Sequence, residues 1–270
     1  MPKKIFLSAD IEGTTGIAHW NETDKTKGAG DGYAHFAHQM SREVKAACEA
    51  AIKMGAEDIL VKDAHDSARN INPEMLPEAV RIHRGWAQDL YVMMSGLDES
   101  FDGVIFTGYH SPAHSSANPL AHTMTGILHS ITLNGEALSE LHINALIAAM
   151  LNVPIYCATG DAGLMQWLNG KNPNIETVAV SEGRSNASVS IHPNLALRRI
   201  GEAVERAFAK EPADLMFPKP DHYDIRICYK QHHTARNMAN YPGAFQVDEH
   251  TIGFASDDYM EVLRFLFFVI

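Results

Sequence analysis

Three short motifs in the first 110 residues set carboxylates and imidazoles at spacings suited to holding a cation: Asp10-Ile11-Glu12-Gly13, Asp63-Ala64-His65-Asp66 and Gly108-Tyr109-His110. In an extended chain residues two apart project to the same side, which brings Asp10 to Glu12 and Asp63 to His65. Two carboxylates that close repel each other unless a proton or a cation intervenes. Each motif follows an apolar run, and ligands of open α/β sheets bind just beyond the carboxyl ends of the strands. Singly, each reads as a solvated polar turn. Three at one predicted edge are better explained by a metal site. Glu140, in the first turn of a predicted helix, is a fourth contributor, although a carboxylate there also complements the helix dipole. The donors are oxygen and nitrogen only, which suits Zn²⁺ or Mn²⁺. Asp10, Glu12, His65, His110 and Glu140 are more ligands than one tetrahedral Zn²⁺ normally takes from protein. Two ions are therefore expected, about 3.5–4 Å apart, with Asp10 as the bridge from a central first strand.

Between His110 and Thr123 runs a loop rich in small and polar residues, the kind of segment that carries function on a rigid scaffold. His122 and His114 both lie in it, and either imidazole can give or take a proton near working pH. Asp161 follows Thr159-Gly160 and serves equally as an N-cap or as a partner steadying a metal-bound histidine. Cys48 and Cys157 fall in apolar patterns and read as buried structural residues. His232 and His233 read as solvated.

These groups need strands and helices to position them, and the first two thirds of the chain alternate accordingly. Strands are expected over Ile5–Ala9, Glu57–Asp63, Ala79–His83, Asp102–Gly108, Pro154–Thr159 and Glu176–Val180. Ile127–Leu133 reads as another, running into an Asn134-Gly135 tight turn. Helices fit Tyr33–Met54, where apolar residues recur every three or four positions until Gly55, Glu140–Leu151 behind a Ser139 cap, and the short Ala162–Leu168. The alternation weakens beyond His192. A helix over Leu195–Lys210, a proline-rich stretch over Glu211–Pro220, a strand over Asp224–Tyr229, a helix near Thr234–Asn240 and a closing helix from Asp257 make a smaller α+β portion. The expected fold is α/β, a mostly parallel sheet flanked by helices. Its catalytic domain spans residues 1–192, and residues 193–270 form a C-terminal portion with a part in oligomerisation.

Composition narrows the function. Lys and Arg number 22 against 33 Asp and Glu among 270 residues, a formal charge of −11 that leaves no broad basic surface for a polyphosphate backbone. Nucleic acid is not an expected partner. The apolar run at the start is short and broken by Asp10, and the apolar tail Leu263–Ile270 falls far below the ~20 residues that span a bilayer. No membrane contact is expected, the tail packs on the core or a neighbouring subunit, and the chain is placed in the cytoplasm. Three scattered cysteines form no disulfide framework and no thiolate metal site.

In order and approximate spacing, Ser8-Ala9-Asp10-Ile11-Glu12-Gly13, Asp63-Ala64-His65-Asp66-Ser67, Gly108-Tyr109-His110, Ala121-His122-Thr123, and Asn134-Gly135 followed by Glu140 and Asn144 resemble the zinc-dependent D-aminopeptidases of the bacterial dipeptide-transport (DppA) type. The resemblance covers roughly residues 3 to 165. It implies a di-zinc aminopeptidase, acting on short peptides or amino-acid amides that begin with a D-residue, in which a metal-bound water attacks the peptide carbonyl. Asp10 corresponds to the bridging carboxylate, Glu12, His65, His110 and Glu140 match the remaining ligands, and His122 matches the catalytic histidine in preference to His114. Asp63, Asn144 and Asp161 are expected to steady these groups. A ring-shaped homo-decamer is also implied. The loop from Trp20 to Asp31 is the expected point of difference, in access route and substrate range. The alternatives are a two-metal phosphoesterase, since paired metals also serve phosphatases, and a non-catalytic metal-binding scaffold.

Overall fold

A computed structural model describes residues 3–26 and 31–270 of the chain. The expected α/β architecture is present, built on two sheets. Strand β1 (Lys3–Ala9) leads to the long helix α1 (Asp31–Lys53), then to β2 (Ala56–Asp63), β3 (Val80–His83) and β4 (Gly103–Tyr109). A hairpin, β5 (Leu128–Leu133) and β6 (Glu136–Ala137), precedes α2 (Glu140–Met150), followed by β7 (Ile155–Asp161), α3 (Ala162–Lys171), β8 (Glu176–Arg184), β9 (Ala187–Ser190) and α4 (Pro193–Phe208). The remainder is β10 (Tyr223–Tyr229), α5 (His232–Met238), β11 (Phe245–Gln246), β12 (Thr251–Ser256) and α6 (Tyr259–Val269).

The larger sheet runs β3-β2-β1-β4-β7-β8-β9, all parallel except the edge strand β9. Its central strands alternate between two cores, as a period of two requires. Phe6, Val104 and Phe106 enter one core with α2, α3 and α6, whereas Ile5, Leu7 and Ile105 enter the other with α1 and α4.

The smaller sheet, β11-β12-β10-β5-β6, is antiparallel. Strand β5 runs into the expected tight turn: Asn134, in the left-handed region at φ 51°, folds it back on β6, and its other edge pairs antiparallel with β10. Residue 192 is the expected boundary of the catalytic domain. The small sheet draws strands from both sides of that point, and α4 joins the core of the large sheet through Ala196, Ile200 and Val204. Strands β9 and β12 had no expectation from sequence. Helix α6 buries Val262, Leu263, Phe265 and Leu266 within the chain, whereas Phe268 stays 62% exposed. Among the described residues no helix is long and apolar enough to cross a membrane.

Candidate metal centre

Because β1 lies between β2 and β4, the three chain segments leave the sheet side by side. Ala9 pairs with Asp63 on one side and Thr107 on the other, and the Asp10 N–H donates to the Thr107 carbonyl at 2.9 Å. Beyond that point the chains converge more closely than side chains permit. Gly13 donates to the Gly108 carbonyl at 2.8 Å, and a Cβ at Gly13 would stand 1.9 Å from the Tyr109 oxygen. Gly108 itself has φ +71°, and a Cβ there would meet the Asp10 carbonyl oxygen at 2.2 Å. Glycine is required at both positions, and the close approach delivers Asp10, Glu12 and His110 to one place.

There the five expected ligands meet. Asp10 sits between two imidazoles: its Oδ1 is 3.3 Å from His65 Nδ1 and its Oδ2 is 3.4 Å from His110 Nε2. Glu12 Oε2 lies 3.0 Å from His65 Nδ1, and Glu140 Oε1 lies 3.5 Å from His110 Nε2. His122 enters from the loop, its Nε2 3.6 Å from Glu140 Oε1 and its ring stacked on His110 at 4.3 Å. Ligand atoms of Asp10, Glu12 and His110 fall within 4.8 Å of one another, as do those of His110, His122 and Glu140. The cluster thus has a His65 end and a His122 end. His114 is not part of it; it packs against His129.

The second nitrogen of each imidazole faces a backbone carbonyl, which can only accept. His65 Nε2–H donates to the Thr23 oxygen at 2.8 Å, His110 Nδ1–H to the Ser111 oxygen at 3.0 Å, and His122 Nδ1–H to the Leu120 oxygen at 2.9 Å. A neutral ring held this way turns a lone pair toward the carboxylates. Lone pair facing lone pair in a buried site is unfavourable unless something positive lies between. Asp10 Oδ2, both Glu12 side-chain oxygens and His110 Nε2 are buried without a hydrogen-bond partner. That is the arrangement a divalent cation satisfies, and the nitrogen and oxygen donors suit zinc.

The electrostatics express the same conflict in protons. Burial, then the Glu12 carboxylate, pushes Asp10 up to about 8. Burial opposes the charged forms of His65 and His110, yet the carboxylates outweigh it and hold both imidazoles well above their ordinary value. Glu12 is held well below the usual range by His65, His122 and His110, against its burial. His122 behaves differently: burial and the neighbouring His110 lower it.

The three residues expected to steady the cluster lie at different removes from it. Asp63 accepts from the backbone N–H groups of Asn70 and Ile71, at 2.5 and 2.8 Å, and from Asn70 Nδ2, which also donates to the His65 carbonyl at 2.7 Å. Asp161 caps α3 at the Leu164 N–H and also binds the N–H and Oγ of Ser111, whose carbonyl accepts from His110 Nδ1–H. Asn144 touches no expected ligand, because its Nδ2 donates at 2.9 Å to the Tyr109 hydroxyl. Sequence reasoning missed the turn over Trp20–Glu22, where the His19 and Glu22 side chains form a capping box. That turn supplies the Thr23 carbonyl to His65 and packs the Trp20 ring on His122 at 5.0 Å. Its only signal was H-W-N-E, a histidine in the place of the usual capping serine or threonine. Of the Trp20–Asp31 loop, residues 27–30 lie outside the described residues. Met124 was missed as well; its N–H donates to Glu140 Oε1 at 2.6 Å from a backbone with φ 60°.

The centre opens into a cavity of about 770 Å³, within the roughly 300–1,000 Å³ typical of small-molecule sites. The chain has similar counterparts in sequence and fold. A D-aminopeptidase of Bacillus subtilis (strain 168) is 27% identical over 265 residues, 97% of this chain and 94% of its own length. A solved structure, described as the Zn-dependent D-aminopeptidase DppA from Bacillus subtilis, a self-compartmentalizing protease, superposes with a TM-score of 0.89 at 25% identity, covering 98% of this chain and 96% of that one. The D-aminopeptidase family model matches residues 3–268, and the chain therefore belongs to the D-aminopeptidase family.

Proposed function

We propose that the chain is a di-zinc aminopeptidase that removes the N-terminal residue, of D configuration, from short peptides or amino-acid amides. Asp10, Glu12, His65, His110 and Glu140 would hold the metals, and Asp10, between the two imidazoles, is the residue that could serve both. The observation that carries this reading is the pairing of unpartnered buried carboxylate oxygens with imidazole nitrogens at both ends of the cluster, Glu12 Oε2 3.0 Å from His65 Nδ1 and Asp10 Oδ2 3.4 Å from His110 Nε2. Zinc supplies Lewis acidity, polarising the scissile carbonyl and bringing a water toward ionisation at neutral pH.

The chain's own residues do the rest. His122, with Nδ1–H fixed on the Leu120 carbonyl, presents Nε2 as a base. Its lowered pKa keeps it unprotonated at neutral pH, ready to take a proton and return it to the departing amine. Asp24 and Asp66 add carboxylates to the wall beside Asp10, Glu12 and Glu140. An acidic wall favours a substrate's α-ammonium group over a phosphoester dianion, which ranks the phosphoesterase reading lower. The relative's description as a self-compartmentalizing protease supports assembly into a ring, for which a homo-decamer in the cytoplasm is proposed.

Purified protein assayed with Zn²⁺ on D- and L-aminoacyl amides, with and without chelator, tests this. Hydrolysis of the D-series that stops on chelation is expected. Turnover indifferent to chelator sinks the mechanism.

A further inference from the structure

Two tryptophans stand in the cavity wall, each tied to a different end of the cluster. Trp20 packs edge-on against His122. Trp86 belongs to the His65 end, where its Nε1–H donates at 2.7 Å to the carbonyl of Asp66, the residue after His65. Beneath Trp86 lies Lys62, wholly buried, with Nζ 4.4 Å from the ring centroid and bonded to the Gly85 carbonyl at 2.6 Å. A buried ammonium that bonds the adjacent backbone and faces an indole ring clamps that ring in place. Next to it in the wall come Val92 and Met93. Val92 has φ 47°, a conformation that a β-branched residue rarely adopts and that persists only where the surroundings enforce it. The Val92 N–H bonds the Asp89 carbonyl, and the Asp89 side chain accepts from Ser95 Oγ at 2.5 Å. The apolar surface made by Trp86, Val92 and Met93 is therefore rigid.

An aminopeptidase substrate has two halves, and the proton chemistry orients them. The departing amine must lie beside His122, so the leaving residue lies on the side of Trp20. The N-terminal residue then falls toward the His65 end. We propose that Trp86, with Val92 and Met93, forms the pocket for the side chain of the N-terminal residue and selects bulky apolar side chains there, whereas Trp20 flanks the leaving residue. The inference rests on the aminopeptidase reading and on the proton role of His122. Trp86 is a specificity-determining residue in this assignment, and Lys62 positions it.

The test is a matrix of zinc-loaded wild type, Trp86→Ala, Trp86→Leu and Trp20→Ala against two substrate series, with zinc content and circular dichroism recorded for each. One series varies the N-terminal residue through alanine, leucine and phenylalanine amides of both hands. The other keeps alanine first and varies the leaving residue from glycine to phenylalanine. Wild type should prefer phenylalanine and leucine amides. Trp86→Ala should lower kcat/KM for those two by roughly 10- to 100-fold, the discrimination a hydrophobic pocket achieves, and for alanine amide by less than about threefold. Trp86→Leu keeps apolar bulk and gives an intermediate loss, which preserves the test if the alanine variant folds poorly. Trp20→Ala should leave the ranking of N-terminal residues intact and weaken the preference among leaving residues. An equal fall on all amides in the Trp86 variants, or a reordering of N-terminal residues by Trp20→Ala, overturns the assignment. Absence of turnover on every amide by zinc-loaded wild type removes the aminopeptidase reading itself, an outcome distinct from altered ranking in an active enzyme.

Discussion

Helix α2 carries two buried titratable groups two residues apart, Glu140 and His142, in unlike surroundings. Glu140 faces His110 and His122, and those imidazoles hold its carboxyl below the usual range in spite of burial. His142 lies against Trp167 and Phe217, with ring centroids 4.7 and 5.7 Å away, and its Nδ1 has no partner. Burial pushes it down to about 4. Burial alone does not separate the two kinds of histidine, since His142 is 5% exposed and His110 is 1% exposed. The ring nitrogen left without a backbone partner does. That of His110, Nε2, meets carboxylate oxygens, where a cation would be stabilised; Nδ1 of His142 has no polar partner beside the Trp167 and Phe217 rings, and the ring acts as packing.

Replacing one histidine from each environment should break this contrast most sharply. His110→Ala is expected to lose zinc, measured by elemental analysis, and to lower turnover by about a thousandfold, equivalent to several kcal/mol of transition-state stabilisation. His142→Leu should keep its zinc and stay within about twofold of wild-type activity. Zinc loss in the second variant, or full zinc in the first, would reverse the assignment. Next in size, His122→Ala should cost about 10²- to 10⁴-fold in kcat with metal content unchanged; undiminished turnover would remove it from the mechanism.

A smaller effect separates the environments by pH. The folded-state pKa of His142, about 4, lies below the ordinary value of 6.5, so the unfolded chain binds more protons between these values. The associated stability is complete above pH 6.5 and is lost as pH falls toward 4, amounting to about 3 kcal/mol. Urea unfolding of wild type and His142→Leu across this range should show the difference between them closing as pH drops, and parallel curves would contradict it. The smallest expected effect belongs to Asn144→Ala. This side chain donates to the Tyr109 hydroxyl and to Met93 Sδ and not to an expected ligand, so a loss of about 1 kcal/mol in stability and less than tenfold in activity is expected. A zinc deficit in this variant would show that it touches the metals after all.

Much of the fold and the candidate site was legible in the sequence where local rules decide. The parallel strands and their intervening helices follow from short apolar runs, a three- to four-residue repeat over α1 and a Ser139 cap whose oxygen accepts the His142 N–H. The alternation of Phe6 and Leu7 between two cores is inherent in strand geometry. The second sheet was not legible, because β5 and β10 are about ninety residues apart and antiparallel pairing at that distance leaves no local mark. The partner of Asn144 was not legible for a related reason: lying one helical turn from Glu140 does not tell which neighbour a side chain meets.

The sequence by itself determined which donors exist: oxygens and nitrogens at strand ends, spaced so that neighbours in the chain share a side, with glycine wherever backbones must touch. Only the tertiary structure decided which nitrogen of each imidazole is free. That choice is made by the carbonyls of Thr23, Ser111 and Leu120, supplied by turns that no periodicity announces. A ring nitrogen becomes available to a cation when its twin is already bonded, and that bond is a property of packing.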